Sequence, residues 1–236
     1  MESEDITDDS LAVTEEIKMR TVAAFAPIIK RFVIPFTLAL LLRFEFGLPE
    51  KPLNSSKALF RVLPIIVLIA VVQEKHHGNE FSLRLSAGLS FSAAGDLCYL
   101  YRQQYVIIGI ICFSIAYCLY ALAFKLKTDH FLLACLACFV AIGVYHFMTP
   151  KLHGIRGPAA MAYMTTALLM IWRAMAWYKK SRKYNSLAAL LGAILLVVSE
   201  TVLSTHIFQF PIPQNELIGR YPYYLGQLLI SLAALS

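Results

Sequence analysis

The chain is 236 residues long, 58% hydrophobic and only 15% charged, with a mean hydropathy of +0.64. A soluble domain of this size is about half apolar and about a quarter charged, so the composition excludes an ordinary soluble globule and asks for a bilayer as solvent. The net charge of +6 does not gather on a polar domain that could hold nucleic acid; it reads as Lys and Arg flanking membrane segments.

The chain opens on an acidic head, with seven of its 15 acidic residues in the first 16 positions. Residues 1–22 are expected to form a disordered acidic segment. The head is not a signal peptide, which starts basic and turns apolar, and Glu2 excludes N-myristoylation. Residues 23–236 read as a single transmembrane helical domain. Apolar runs near the length that crosses ~30 Å of hydrocarbon lie at about 27–47, 58–74, 82–101, 104–125, 131–149, 157–178, 186–208 and 218–236. The expected fold class is therefore all-α, a polytopic transmembrane helical bundle of about eight spans. Short connections leave no room for a soluble domain.

Topology follows from Lys and Arg in the loops. Twelve basic residues fall on the side of the N-terminus and eight on the other, with Arg173 inside the sixth run. The cluster Lys179-Lys180-Ser181-Arg182-Lys183 contributes most, and both termini are expected in the cytosol. The Asn54-Ser55-Ser56 sequon then faces the far side. Arg43, Arg61 and Arg220 belong to the far-side tally, and snorkelling to headgroups is the expected use of Lys30 and Arg61. The cysteines Cys98, Cys112, Cys118, Cys135 and Cys138 all sit in apolar runs without metal-ligand company, as small packing residues. No phosphate loop, nucleotide motif or metal cluster is visible, so no cofactor is expected.

A charged side chain at mid-bilayer costs roughly 3 kcal/mol on insertion scales. Asp96, in Ser90-Phe-Ser-Ala-Ala-Gly-Asp-Leu-Cys-Tyr99, and Glu200, in Leu195-Leu-Val-Val-Ser-Glu-Thr-Val-Leu203, are the two acidic residues well inside apolar runs. Each lies about fourteen residues into its run, ~20 Å from the cytosolic end, and the two runs point the same way. Gly95 and Ser199, immediately before them, let another helix approach. Two carboxyls at one depth in a dry pocket can divide acid and base work, one donating a proton while the other acts on water. A proton-coupled carrier would use the same pair, and hydrogen-bonded packing is the purely structural use. A carrier should also show Gly- or Pro-broken helices in matching halves, and Pro35, Pro64, Pro158 and Pro222 lie near run ends. At comparable depth stand Ser114, Tyr117 and Tyr120, then Tyr163 and Thr166, then Tyr223, Tyr224 and Gln227. Each Tyr could instead belong to an interfacial aromatic belt. Gln227 could serve as an interhelix hydrogen bond, and His206 is interfacial or functional.

Four stretches, in order and with this spacing, resemble the lysoplasmalogenase family, multi-span membrane vinyl-ether hydrolases of the transmembrane protein 86 / YhhN type. They are Gly88-Leu-Ser-Phe-Ser-Ala-Ala-Gly-Asp96; Phe113 to Phe124 with Tyr120; Tyr163 through Ile171-Trp-Arg-Ala-Met175; and Gly192-Ala with Val198-Ser-Glu200, Phe208-Gln-Phe-Pro-Ile-Pro213 and Tyr223-Tyr-Leu-Gly-Gln-Leu-Leu229. The resemblance implies an eight-helix bundle with an intramembrane site, Asp96 and Glu200 as the catalytic pair, a lysophospholipid substrate taken from the bilayer, and an endoplasmic reticulum location. Ser92, Tyr117, Tyr120, Tyr163, His206, Tyr223, Tyr224 and Gln227 would line the substrate pocket. Asp96 matches the first acidic position of the family. The second is usually Asp and here is Glu200, one methylene longer. Tyr117 stands where a His is common, and His206 where an Asn is common. A non-catalytic member that binds lysolipid would need the same pocket.

Overall fold

A computed structural model describes residues 30, 33–46, 55–75, 79–124, 139, 143, 156–208, 210–213 and 215–235. The acidic head, Cys135, Cys138 and the run at 131–149, apart from 139 and 143, lie outside the described residues. Among those described, seven α-helices follow one another: α1 (Ile34–Phe46), α2 (Ser55–Lys75), α3 (Glu80–Leu100), α4 (Arg102–Ala123), α5 (Arg156–Ser181), α6 (Tyr184–Phe208) and α7 (Asn215–Leu232), closed by a 3-10 turn, Ala233–Leu235. They stand on seven of the eight apolar runs. Three segments, Gln104–Ala123 in α4, Gly157–Ser181 in α5 and Tyr184–His206 in α6, are long and apolar enough to cross a membrane. The chain is a helical membrane protein.

The helices are apolar on the outside. On α4, Ile108, Ile111, Ile115 and Leu122 are exposed while Phe113, Tyr117 and Tyr120 are buried. On α6, Leu191, Ile194 and Val198 face out while Ser199 and Glu200 face in. The helical spacing is that of any amphipathic helix, but the apolar stripe meets lipid and the polar one meets protein. This inversion explains why α2, α3 and α7 fall short of a plain apolar span. Arg61, Asp96 and Arg220 on these helices are turned into the bundle, while Glu74 and Glu80 stay exposed.

Each helix packs against its neighbours in sequence, and α7 also reaches α2, closing the ring. The closest approaches use glycine. A Cβ on Gly192 would stand 2.8 Å from the Gly226 carbonyl oxygen, so the α6 and α7 backbones touch. A Cβ on Gly95 would stand 2.8 Å from the Phe113 ring, which lets that ring cover α3 beside Asp96. Between α5 and α6 the chain turns in two residues. Arg182 takes a positive φ of 48° and donates its N–H to the Tyr178 carbonyl at 2.9 Å. The basic cluster therefore occupies the tip of a tight helical hairpin.

Pro64 and Pro222 lie inside α2 and α7, not near their ends as the apolar runs suggest. Both helices begin in polar sequence, at Ser55 and Asn215, before the apolar run starts. Pro222 removes the hydrogen bond to the Ile218 carbonyl. The next carbonyl, on Gly219, accepts from Ser199 Oγ at 2.6 Å, which ties α7 to α6 beside Glu200.

Candidate active site

Asp96 is the seventeenth residue of α3, which begins at Glu80, and Glu200 is the seventeenth of α6, which begins at Tyr184. The two carboxyls thus sit at the same height on two helices, and both are buried. They lie within electrostatic reach of each other and of Arg220. Arg220 Nη1 donates to Asp96 Oδ1 at 2.6 Å, with the side chains 1% and 0% exposed. Glu200 stands beside Tyr163 on α5. The two acids therefore differ: one pairs with a guanidinium, the other stands beside a neutral phenol. Asp96 Oδ2 and Glu200 Oε1 have no hydrogen-bond partner among the described residues. Each carboxyl keeps one oxygen for a proton, a water or a substrate atom.

Phenols from three helices surround the acids. Tyr117 and Tyr163 hydroxyls meet at 3.5 Å, which links Glu200 through Tyr163 to α4. Tyr120 donates to Gln227 Oε1 at 2.8 Å and lies 3.2 Å from Ser92 Oγ, joining α3, α4 and α7. Phe113 meets the Tyr223 ring edge-on at 6.2 Å, and Tyr223 meets Tyr224 at 5.1 Å. Tyr117, Tyr120, Tyr223 and Tyr224 are fully buried, so none of these four belongs to an interfacial belt. Tyr163 is half-buried. Gln227 bridges helices through its oxygen, while its Nε2 and the Tyr223 hydroxyl have no partner among the described residues.

Nine of the ten residues singled out in the sequence thus share one buried cluster. His206 does other work: its Nδ1 accepts from the Ile212 N–H at 2.9 Å and braces the turn after α6. Ser114 and Thr166 direct their hydroxyls to carbonyls of their own helices, Ile110 and Tyr163. Cys98, Cys112 and Cys118 are free and half-buried.

Sequence reasoning missed the arginines. Arg43 and Arg61 are 0% exposed and Arg220 is 1% exposed, so none reaches a headgroup layer by snorkelling. Lys30, by contrast, is exposed. The Arg43 Nε donates to the Tyr224 hydroxyl at 3.0 Å, and that hydroxyl donates to the Arg61 carbonyl at 2.9 Å. The Arg61 and Arg220 guanidiniums lie over the Tyr99 ring, 4.9 and 4.3 Å from its centroid. For Arg220 a signal existed. Positions 220, 223, 224 and 227 share one face of a helix, and the last three had already been marked as polar groups at site depth.

A family model described as the YhhN family matches residues 56–234. Lysoplasmalogenase TMEM86A of Bos taurus is 31% identical over 212 residues, covering 86% of this chain and 88% of its own. Lysoplasmalogenase TMEM86B of Rattus norvegicus is 28% identical over 209 residues, covering 89% of this chain and 86% of its own. Lysoplasmalogenase TMEM86B of Homo sapiens is 29% identical over 218 residues, covering 90% of each chain. No solved structure matches the chain. The family match spans α2 to α7 and takes in the carboxyl pair, Arg220 and all the phenols around them, and on that extent of agreement the chain belongs to the YhhN family.

Proposed function

We propose that this protein is a lysoplasmalogenase, a hydrolase of the vinyl-ether bond of lysoplasmalogens, and that Asp96 and Glu200 carry the reaction. The observation that bears most weight is the asymmetry of the pair. Two carboxyls share one height in the bundle, and Arg220 contacts one at 2.6 Å while a phenol stands beside the other. The relatives' names give the substrate class.

Glu200, beside a neutral phenol, is the proton donor. Its proton goes to the vinyl carbon remote from oxygen, the double bond supplies the electron pair, and an oxocarbenium ion forms. Asp96, paired with Arg220, faces that cation and takes a proton from the water that adds to the carbon next to oxygen. The resulting hemiacetal collapses as its carbon–oxygen bond to glycerol breaks. Asp96 returns its proton to the glycerol oxygen, and the Glu200 carboxylate takes the hemiacetal hydroxyl proton. A fatty aldehyde and glycerophospho-ethanolamine or -choline leave, and both acids regain their starting states. Glycoside cleavage is the physical parallel, with two carboxyls around an oxocarbenium-like state. A site closed to water strengthens the attraction between the Asp96 anion and that cation. Tyr163 orients Glu200. Ser92, Tyr117, Tyr120, Tyr223, Tyr224 and Gln227 shape the pocket around the vinyl ether and glycerol.

The same reading extends to topology: an eight-span bundle in the endoplasmic reticulum membrane, with both termini in the cytosol. Burial of Arg43, Arg61 and Arg220 supports the orientation. It removes three residues from the far-side basic tally and widens the cytosolic excess.

The test is aldehyde release from a lysoplasmalogen by the purified protein, beside Asp96→Asn and Glu200→Gln. Release by wild type and loss in both variants is the expected result. A folded wild type that lysolipid stabilises but that yields no aldehyde would leave a lysolipid-binding protein.

A further inference from the structure

Three guanidiniums in one membrane interior need a reason. Insertion scales put each at roughly 3 kcal/mol at mid-bilayer, so such residues persist where they act. Here they come from three helices, α1, α2 and α7, and converge on two rings. Arg43 bonds the Tyr224 hydroxyl at 3.0 Å, Arg61 and Arg220 lie over Tyr99 at 4.9 and 4.3 Å, and all three lie within electrostatic reach of Tyr224. Arg220 also contacts the Asp96 carboxyl.

We propose that Arg43 and Arg61 form a binding site for the phosphodiester of the lysolipid headgroup, with Arg220 as the hinge between that site and the carboxyl pair. The proposal rests on reading the cluster as a lysolipid pocket. Such a substrate carries its phosphate one glycerol backbone away from the vinyl ether. Arg220 joins the two centres in the same order, contacting Asp96 with its Nη1 while sharing the Tyr99 ring with Arg61. Guanidinium rather than ammonium is the suitable donor, because its planar fork grips two phosphate oxygens and also stacks on aromatic rings. Tyr99 and Tyr224 hold the forks in place, so little ordering remains for the ligand to impose. The monoanionic phosphate would settle among fixed positive charges where water is scarce, and a neutral glycerolipid would gain nothing from them.

Thermal melts of the purified full-length protein in detergent decide the matter. Lysophosphatidylethanolamine, a monoacylglycerol of the same chain length and glycerophosphoethanolamine are the probes. Wild type should be stabilised by the lysophospholipid well beyond the monoacylglycerol, and Arg43→Gln and Arg61→Gln should erase that difference. Equal stabilisation of wild type by the two lipids would overturn the proposal, and this comparison needs no variant to fold. Stabilisation by glycerophosphoethanolamine as well would keep the site and identify its ligand as the free phosphodiester; response to the lysolipid alone assigns it to the headgroup. The kinetic arm compares a lysoplasmalogen with a 1-alkenylglycerol that lacks phosphate. In Arg61→Lys the preference for the phosphorylated substrate, as a ratio of kcat/KM values, should fall about tenfold, the worth of one charge-assisted hydrogen bond. An unchanged ratio contradicts the assignment. If wild type cleaves neither substrate, the hydrolase reading fails, and the melts still judge the phosphodiester site.

Discussion

Asp96 and Arg220 form a buried ion pair. Removing one partner of a buried pair leaves an uncompensated charge and costs about 3–5 kcal/mol. Arg220→Gln should therefore unfold at markedly lower denaturant in detergent than wild type. The double variant Asp96→Asn/Arg220→Gln should recover much of that loss, and a double-mutant cycle without coupling would deny the pair its structural weight. Tyr163 tests the other acid. Its side chain stands beside Glu200 and the residue is only half-buried, so Tyr163→Phe should leave the fold intact and lower kcat about tenfold, with KM little changed. A KM effect without a kcat effect would make Tyr163 a substrate contact and not the group that orients Glu200.

At the scale of helices, the site depends on how closely α6 and α7 lie. Gly192 and Gly226 are pressed against each other's carbonyls, at 2.8 and 2.9 Å from where a Cβ would stand. Backbone cannot swing aside as a side chain can. Gly192→Ala should cost about 1–3 kcal/mol and loosen the helix pair that carries both Glu200 and Arg220. Gly219→Ala is the control on the same pair of helices, since its Cβ would meet Val202 at an ordinary 3.7 Å. Melting of the two variants side by side checks the contrast; equal stability would mean that the helices can separate without penalty. The two buried phenol networks add directional ties across α3, α4, α5 and α7 where lipid offers no hydrophobic force to hold helices together.

For the molecule as a whole, orientation governs which compartment the site opens toward. Asp96 lies four residues before the end of α3, and Arg220 lies early in α7. Both therefore belong to the end of the bundle away from the Lys179–Lys183 hairpin. With both termini cytosolic, epitopes at either end should be digested by protease added to sealed microsomes, while a tag in the loop after α3 should survive. Protection of a terminal epitope would reverse the orientation and place the carboxyl end of the bundle on the cytosolic side.

Membrane character, the apolar runs and the two acids were legible in the chain itself, because hydropathy and the penalty on a buried charge are properties of a local stretch. The equal depth of Asp96 and Glu200 was legible too, since helical rise converts residue count directly into height. The arginines were not. A basic residue near the end of an apolar run is compatible with a headgroup or with a buried partner, and local sequence is the same in both cases. Only the packing of α1, α2 and α7 decided that Arg43, Arg61 and Arg220 turn inward, and only the contact between α3 and α7 distinguished Asp96 from Glu200. His206 illustrates the same limit from the other direction: the family resemblance suggested the pocket, and the structure gives one of its ring nitrogens to the turn after α6.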